Sequence, residues 1–121
     1  MVLYSYPFRI NLDADSWFTG PYINGILRHM ADAELLLKTR TVHAGGLVEM
    51  VVWRVPQPVP PSGHPFKYRL VFARGGQRVV GYDNERGKGD HKHIGETEAV
   101  YRFVSVDTLI NDFLRDVEAS S

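Results

Sequence analysis

The chain predicts an α+β fold: about five antiparallel strands with a C-terminal helix packed on one face, preceded by an N-terminal arm or short helix. Three observations carry that prediction. Residues 34–104 hold short runs that alternate apolar and polar side chains, the signature of half-buried strands. Glycine pairs at 45–46 and 75–76 separate these runs at hairpin spacing. Beyond Ser105 the period changes to that of a helix, with Val106, Leu109, Ile110, Phe113, Leu114 and Val117 forming one apolar stripe.

Taken in order, residues 1–30 show scattered aromatics and no sustained period of either kind, apart from a possible short helix over Tyr22–Met30. Met30 directly precedes the first clear strand pattern. The expected organisation is therefore residues 1–30 as an arm, or as a start-site or cloning extension, and residues 31–121 as one α+β domain. Glu34–Val42 and Leu47–Val55 form the first hairpin, with Gly45-Gly46 supplying positive φ. The second of these strands is polar only at its ends, so its middle is expected to be covered on both sides, or on one side by the N-terminal arm. Pro56–Pro65 contains five prolines and reads as an extended, rigid connection. Lys67–Ala73 places Tyr68, Leu70 and Phe72 on one face, and Gln77–Asp83 returns after Gly75-Gly76. Ala99–Val104 is the expected fifth strand. Ser105 caps the helix, since its hydroxyl can accept from the free N–H groups of the first turn. Asp112, Asp116 and Glu118 read as the helix's wet side.

Composition narrows the function classes. The 121 residues suit one domain, and 44% apolar with 23% charged residues is ordinary for a globular chain. There is no cysteine, which excludes disulfides and thiolate metal sites. No run is long and apolar enough to span a bilayer and no signal-peptide layout is evident, so a cytoplasmic protein without membrane contact is expected. Fourteen basic and fourteen acidic side chains cancel. Any contact with nucleic acid must then come from local clusters of Lys and Arg.

One segment concentrates chemistry. Tyr82–Gly95 (YDNERGKGDHKHIG) reads as a long polar loop carrying Asp83, Asn84, Glu85, Arg86, Lys88, Asp90, His91, Lys92 and His93 among glycines. Histidine titrates near neutral pH, Lys and Arg stabilise a charged phosphoryl transition state, and glycines let backbone N–H groups face an anion. These are the parts needed to cleave RNA, although a solvated connection has the same composition. His91-x-His93 also admits a metal, with Asp90 as an oxygen ligand, but no third ligand is defined and no metal or cofactor is expected. Gly87-Lys88-Gly89 lacks the P-loop spacing. Arg54, Lys67 and Arg69 lie on strands and offer a basic face for phosphate. Trp53 reads as core, and His43 and His64 have no evident partner.

The runs ELLLKTR (34–40), VEMVVWRVPQPVP (48–60), KYRL (67–70), YDNERGKGDHKH (82–93) and YRFVSVDTLINDFLRDV (101–117) resemble the TumE family of toxins. The resemblance spans about residues 31–118. It implies a toxin neutralised by a cognate antitoxin that is a DNA-binding regulator. By analogy with other small-sheet toxins, the RelE-like ones among them, it implies a metal-independent endoribonuclease acting on RNA or at the ribosome. The alternative is a non-enzymatic toxin that binds a protein or ribosomal target through residues 82–95. Under the ribonuclease reading His91 and His93 serve as base and acid, and Asp90 or Glu85 orients a histidine. Lys88, Lys92 and Arg86 then hold phosphate, and Tyr82 or Asn84 positions the nucleotide.

Overall fold

The structure, a computed structural model, describes the backbone of Leu3–Pro7 and residues 32–121 in full. Among the described residues one sheet has seven strands in simple sequence order, each antiparallel to the next. They are β1 (Leu3–Pro7), β2 (Glu34–His43), β3 (Gly46–Arg54), β4 (Phe66–Arg74), β5 (Gln77–Glu85), β6 (Gly89–Ile94) and β7 (Thr97–Val100). One helix, α1 (Val106–Ala119), follows. No helix of the described residues is long and apolar enough to cross a membrane.

The α+β class and the C-terminal helix match the expectation; the strand count exceeds it by two. Leu3–Pro7 adds an edge strand by pairing with β2, Leu3 opposite Leu37 and Pro7 opposite Glu34. The remainder of the N-terminal segment, including the expected short helix over Tyr22–Met30, lies outside the described residues. The other added strand comes from the supposed loop. Residues 82–95 are the end of β5, a tight turn and β6, paired with Asn84 opposite Asp90 and Asp83 opposite His91. The fifth strand is also shorter than Ala99–Val104: β7 ends at Val100. At Tyr101 the chain leaves the ladder, its N–H donating to Asp90 O at 3.1 Å, and Phe103 then stacks on His64 with ring centroids 3.7 Å apart.

Period-two alternation decides which side chains meet the helix. Val48, Met50 and Val52 of β3, Tyr68, Leu70 and Phe72 of β4, and Val80 and Tyr82 of β5 are all buried, in one cluster with Leu109, Ile110, Phe113 and Val117 of α1. Ser105 caps α1 as expected, accepting from Thr108 N–H at 3.1 Å. The acidic residues of the helix are not simply its wet side. Tyr82 donates its hydroxyl to Asp116, Tyr101 donates to Asp112 at 2.7 Å, and Glu118 pairs with His43 at 3.2 Å. Two buried tyrosines, Tyr82 on β5 and Tyr101 just after β7, therefore need acceptors, and the helix supplies them. On the opposite face Leu35, Trp53, Val55 and Val59 form a smaller apolar cluster with Ala33. On this face Trp53 is buried and Val51 half-buried, so β3 is covered on its second side toward its C-terminal end.

The first hairpin turns one residue earlier than glycine spacing suggests. His43 pairs with Gly46, so the two-residue turn is Ala44-Gly45, with φ of 49° and 73°. Gly46 lies within the strand for a different reason: a Cβ there would stand 2.4 Å from Ala73 O and 2.8 Å from the Phe72 ring. Packing claims the second glycine, and Ala44 takes the left-handed conformation at a cost of about 1 kcal/mol. Two substitutions of opposite sign follow. Ala44→Gly should stabilise the chain by about 0.5–1 kcal/mol, and Gly46→Ala should destabilise it by about 1–3 kcal/mol, both read as shifts in urea midpoint at unchanged slope.

Candidate functional site

The β5–β6 hairpin builds the site by sorting its polar residues onto two faces. Lys88 N–H donates to Glu85 O at 3.1 Å and Gly87 takes φ 83°, closing the turn; Gly89 follows at φ 79°. From that pivot, Tyr82, Asn84, Asp90 and Lys92 face the helix side, whereas Asp83, His91 and His93 face the other.

On the helix side the residues form a hydrogen-bonded hub. Asn84 is fully buried; its amide donates to Phe66 O at 2.8 Å and to Ser62 Oγ at 3.3 Å, and its carbonyl accepts from Tyr68 N–H at 3.0 Å. Asp90 accepts from Ser62 Oγ at 2.5 Å, His64 Nε2 at 2.7 Å and the Tyr68 hydroxyl at 2.7 Å. Burial alone would raise the Asp90 carboxyl, but these three donors outweigh it and hold it below the usual carboxylate range. Phe66 N–H donates to His64 Nδ1 at 3.3 Å, so both His64 nitrogens are engaged. The proline loop is what delivers Ser62 and His64. Gly87 N–H donates to Pro60 O at 2.8 Å, and a Cβ on Gly89 would meet Pro61 at 3.2 Å.

Several sequence-derived roles are therefore redistributed. Asp90 does orient a histidine, but it is His64, which the sequence leaves without a partner. Asp90 lies on the face opposite His91 and His93, so it is not placed to join them as an oxygen ligand. Tyr82 packs edge-on against Phe113, with ring centroids 5.7 Å apart. Lys92 reaches Asp116 at 3.4 Å over the Tyr82 ring, and Arg54 pairs with Glu34 at 3.3 Å. In the structure Tyr82, Asn84, Asp90 and Lys92 tie the hairpin to the loop and the helix.

The opposite face brings together Asp83, His91 and His93, whose ligand-capable atoms lie within 4.8 Å of one another. His91 Nδ1 lies 2.9 Å from Gly89 O. A carbonyl oxygen only accepts, so Nδ1 carries the proton. His91 Nε2 then faces Asp83 Oδ1 at 2.6 Å, yet both atoms are buried and neither completes a hydrogen bond. His93 stands edge-on to His91, ring centroids 5.2 Å apart, with its Nδ1 3.7 Å from Glu98. Burial, with Arg78 nearby, pushes the His93 imidazole below its ordinary value. Lys67 and Arg69 share this face: Arg69 is opposite Asp83 across the β4–β5 ladder. Lys67 is buried and donates to Asn84 O, and burial lowers its ammonium to about 8. Lys88 at the turn pairs with Glu98 at 2.6 Å; Glu85 is exposed and Arg86 half-buried beside it.

Asp83 is the residue that reading the segment as a loop overlooks. The signal was available: pairing the run as a hairpin centred on Gly87 sets residue 83 opposite 91. A groove of about 550 Å³ lies elsewhere, between the outer half of β2 and the C-terminal end of α1, lined among others by Lys38, Arg40, Leu114 and Glu118.

Two outcomes test this geometry. Asp90→Ala should cost about 2–4 kcal/mol in urea unfolding, because it strands three donors at once. Lys67 binds its proton less tightly when folded than the 10.5 of the free side chain, so above pH 8 the unfolded chain holds more protons and stability rises toward pH 10. Wild type should accordingly gain on the order of 2 kcal/mol relative to Lys67→Met between pH 7.5 and 10.

The family model described as toxin TumE matches residues 25–121. No curated protein and no solved structure gives a significant match. The matched span contains β2 to β7, α1, the proline loop and both faces of the β5–β6 hairpin. A toxin of this kind is one component of a toxin–antitoxin system and implies a cognate antitoxin. The chain belongs to the TumE toxin family.

Proposed function

We propose that this toxin acts on RNA as an endoribonuclease, through the face of the sheet that carries Asp83, His91 and His93. The observation that carries the reading is the juxtaposition of one carboxylate and two imidazoles beside the cationic strand positions Lys67 and Arg69. In a chain of zero net charge this local grouping, with Arg86 and Lys88 at the hairpin tip, supplies the field that phosphate needs.

The reaction it suits is transesterification at phosphorus. The ribose 2′-hydroxyl gives up its proton to a base as its oxygen bonds to phosphorus. The bond to the 5′-oxygen breaks, that oxygen takes a proton from the imidazolium form of His91 as acid, and the products are a 2′,3′-cyclic phosphate and a 5′-hydroxyl. In a metal-independent form His93 is the base, since burial favours its neutral imidazole. Lys67, Arg69 and Lys88 hold the non-bridging oxygens. The antitoxin proposed here is a DNA-binding regulator encoded with the toxin.

A second reading rests on exposure. The trio's side chains are mostly buried, at 19%, 4% and 12% accessible for Asp83, His91 and His93, whereas Gly87 and Lys88 at the tip are open. That favours a tip that docks on a protein or ribosomal target without chemistry.

Expression without antitoxin tests the first reading. His91→Ala and His93→Ala should each relieve growth arrest while circular dichroism and antitoxin binding stay as in wild type. Two fully toxic variants would remove the histidines from the mechanism. Purified toxin incubated with total RNA and with ribosome-bound message should yield cyclic-phosphate ends; intact RNA in both would support the docking reading.

A further inference from the structure

We propose that Asp83, His91 and His93 form a binding site for a divalent transition-metal ion of the zinc type. The inference deepens the ribonuclease reading by giving the same trio a resident cation in place of a metal-independent mechanism.

Four observations converge. The donor set is one carboxylate and two imidazoles, which suits zinc and its neighbours and does not suit the all-oxygen preference of magnesium or calcium. The residues sit on adjacent paired strands, Asp83 directly opposite His91 and His93 two residues on along the same face. A rigid ladder therefore presents all three. His91 has the outer arrangement that metal-bound histidines use: its Nδ1–H donates to a backbone carbonyl, Gly89 O at 2.9 Å, which orients the ring and leaves the Nε2 lone pair pointing inward. Finally, that lone pair and the Asp83 oxygen, both buried, face each other at 2.6 Å with no hydrogen bond completed between them. Two acceptors set against each other in a dry place need positive charge between them.

The charge is either a proton, making an imidazolium–carboxylate pair, or a metal ion. His93 separates the two. An ion pair has no use for a second imidazole, whereas a zinc ion needs a third protein ligand to leave one open position. Around a tetrahedral ion the donor atoms stand about 3.3 Å apart. Closing the 4.8 Å group to that size asks a rotation of the His93 ring and a slight opening of the Asp83–His91 contact. Glu98, near His93, and Lys88, which pairs with Glu98, form the edge of the site. Three protein ligands and one open position leave room for water or a phosphate oxygen, the chemistry that an RNA-cleaving site requires.

Titration of the purified full chain with Zn²⁺, followed by calorimetry, and with Co²⁺, followed by visible absorption, tests the site. The expected result is one ion per chain with d–d bands of four-coordinate cobalt, displaced by Zn²⁺ and indifferent to Mg²⁺. His93→Ala and His91→Ala should each weaken Zn²⁺ binding at least about 100-fold. Asp83→Asn, which preserves shape, should weaken it less, and His43→Ala should leave it unchanged. Absence of stoichiometric binding, or equal binding by wild type and His93→Ala, overturns the proposal and leaves a protonated ion pair. RNA cleavage is scored separately. Stoichiometric zinc binding without RNA cleavage keeps the metal site and removes the ribonuclease reading. Cleavage that persists in chelator with no zinc bound keeps the ribonuclease reading and removes the metal.

Discussion

The pairing of Asn84 with Asp90 across a turn centred on Gly87 sets the polar architecture of the β5–β6 hairpin and of the loop packed on it. Because side chains alternate along paired strands, that one register sends Asn84 and Asp90 toward the helix side and Asp83, His91 and His93 to the other. A slip of one residue would exchange the two sets. It would bury the trio against the core and leave Tyr68, Ser62 and His64 without their shared acceptor. The register is thus held by hydrogen bonds on one face and expressed as a candidate reactive group on the other.

The proline loop is the second half of that constraint. It is closed at its base by Val55 N–H donating to Pro65 O at 2.9 Å, and its middle rests on the hairpin turn through Pro60 and Pro61. Proline-rich backbone carries little entropy to lose, so it places Ser62 and His64 against Asp90 cheaply. Phe103 then covers His64, and the chain passes from the stacked ring directly into the cap of α1. Loop, hairpin and helix start are in this way one connected structure. Disturbing Asp90 is felt at all three.

Much of this was legible in the sequence. The strands of residues 34–85 are bounded by alternation and turn glycines, and the helix by its stripe and its serine cap, so fold class follows from local rules. Two things were not. Glycine and charge together read as loop, and the hairpin within YDNERGKGDHKH becomes visible only when Gly87 is taken as a pivot, because four of its strand residues are charged and none is β-branched. The partners of His64 and His43 lie 26 and 75 residues away in sequence, Asp90 and Glu118, and no local pattern announces contacts of that range. The same limit hid the acceptor role of Asp112 and Asp116, whose tyrosine donors come from β5 and from the segment after β7. Grouping His91 with His93 needed only period two. Choosing Asp83 over Asp90 as their companion needed the register.

The central claim is that the hairpin gives two histidines opposite duties: His64 locked to the structural hub and His91 presenting a lone pair to Asp83. Proton-detected ¹⁵N NMR of the histidine rings reads this directly at neutral pH. The expected spectrum shows His64 protonated at Nε2 and His91 protonated at Nδ1, with the His91 Nε2 resonance shifting when Zn²⁺ is added. A His91 ring with no proton on Nδ1, or a His91 Nε2 resonance unmoved by zinc, would contradict the account.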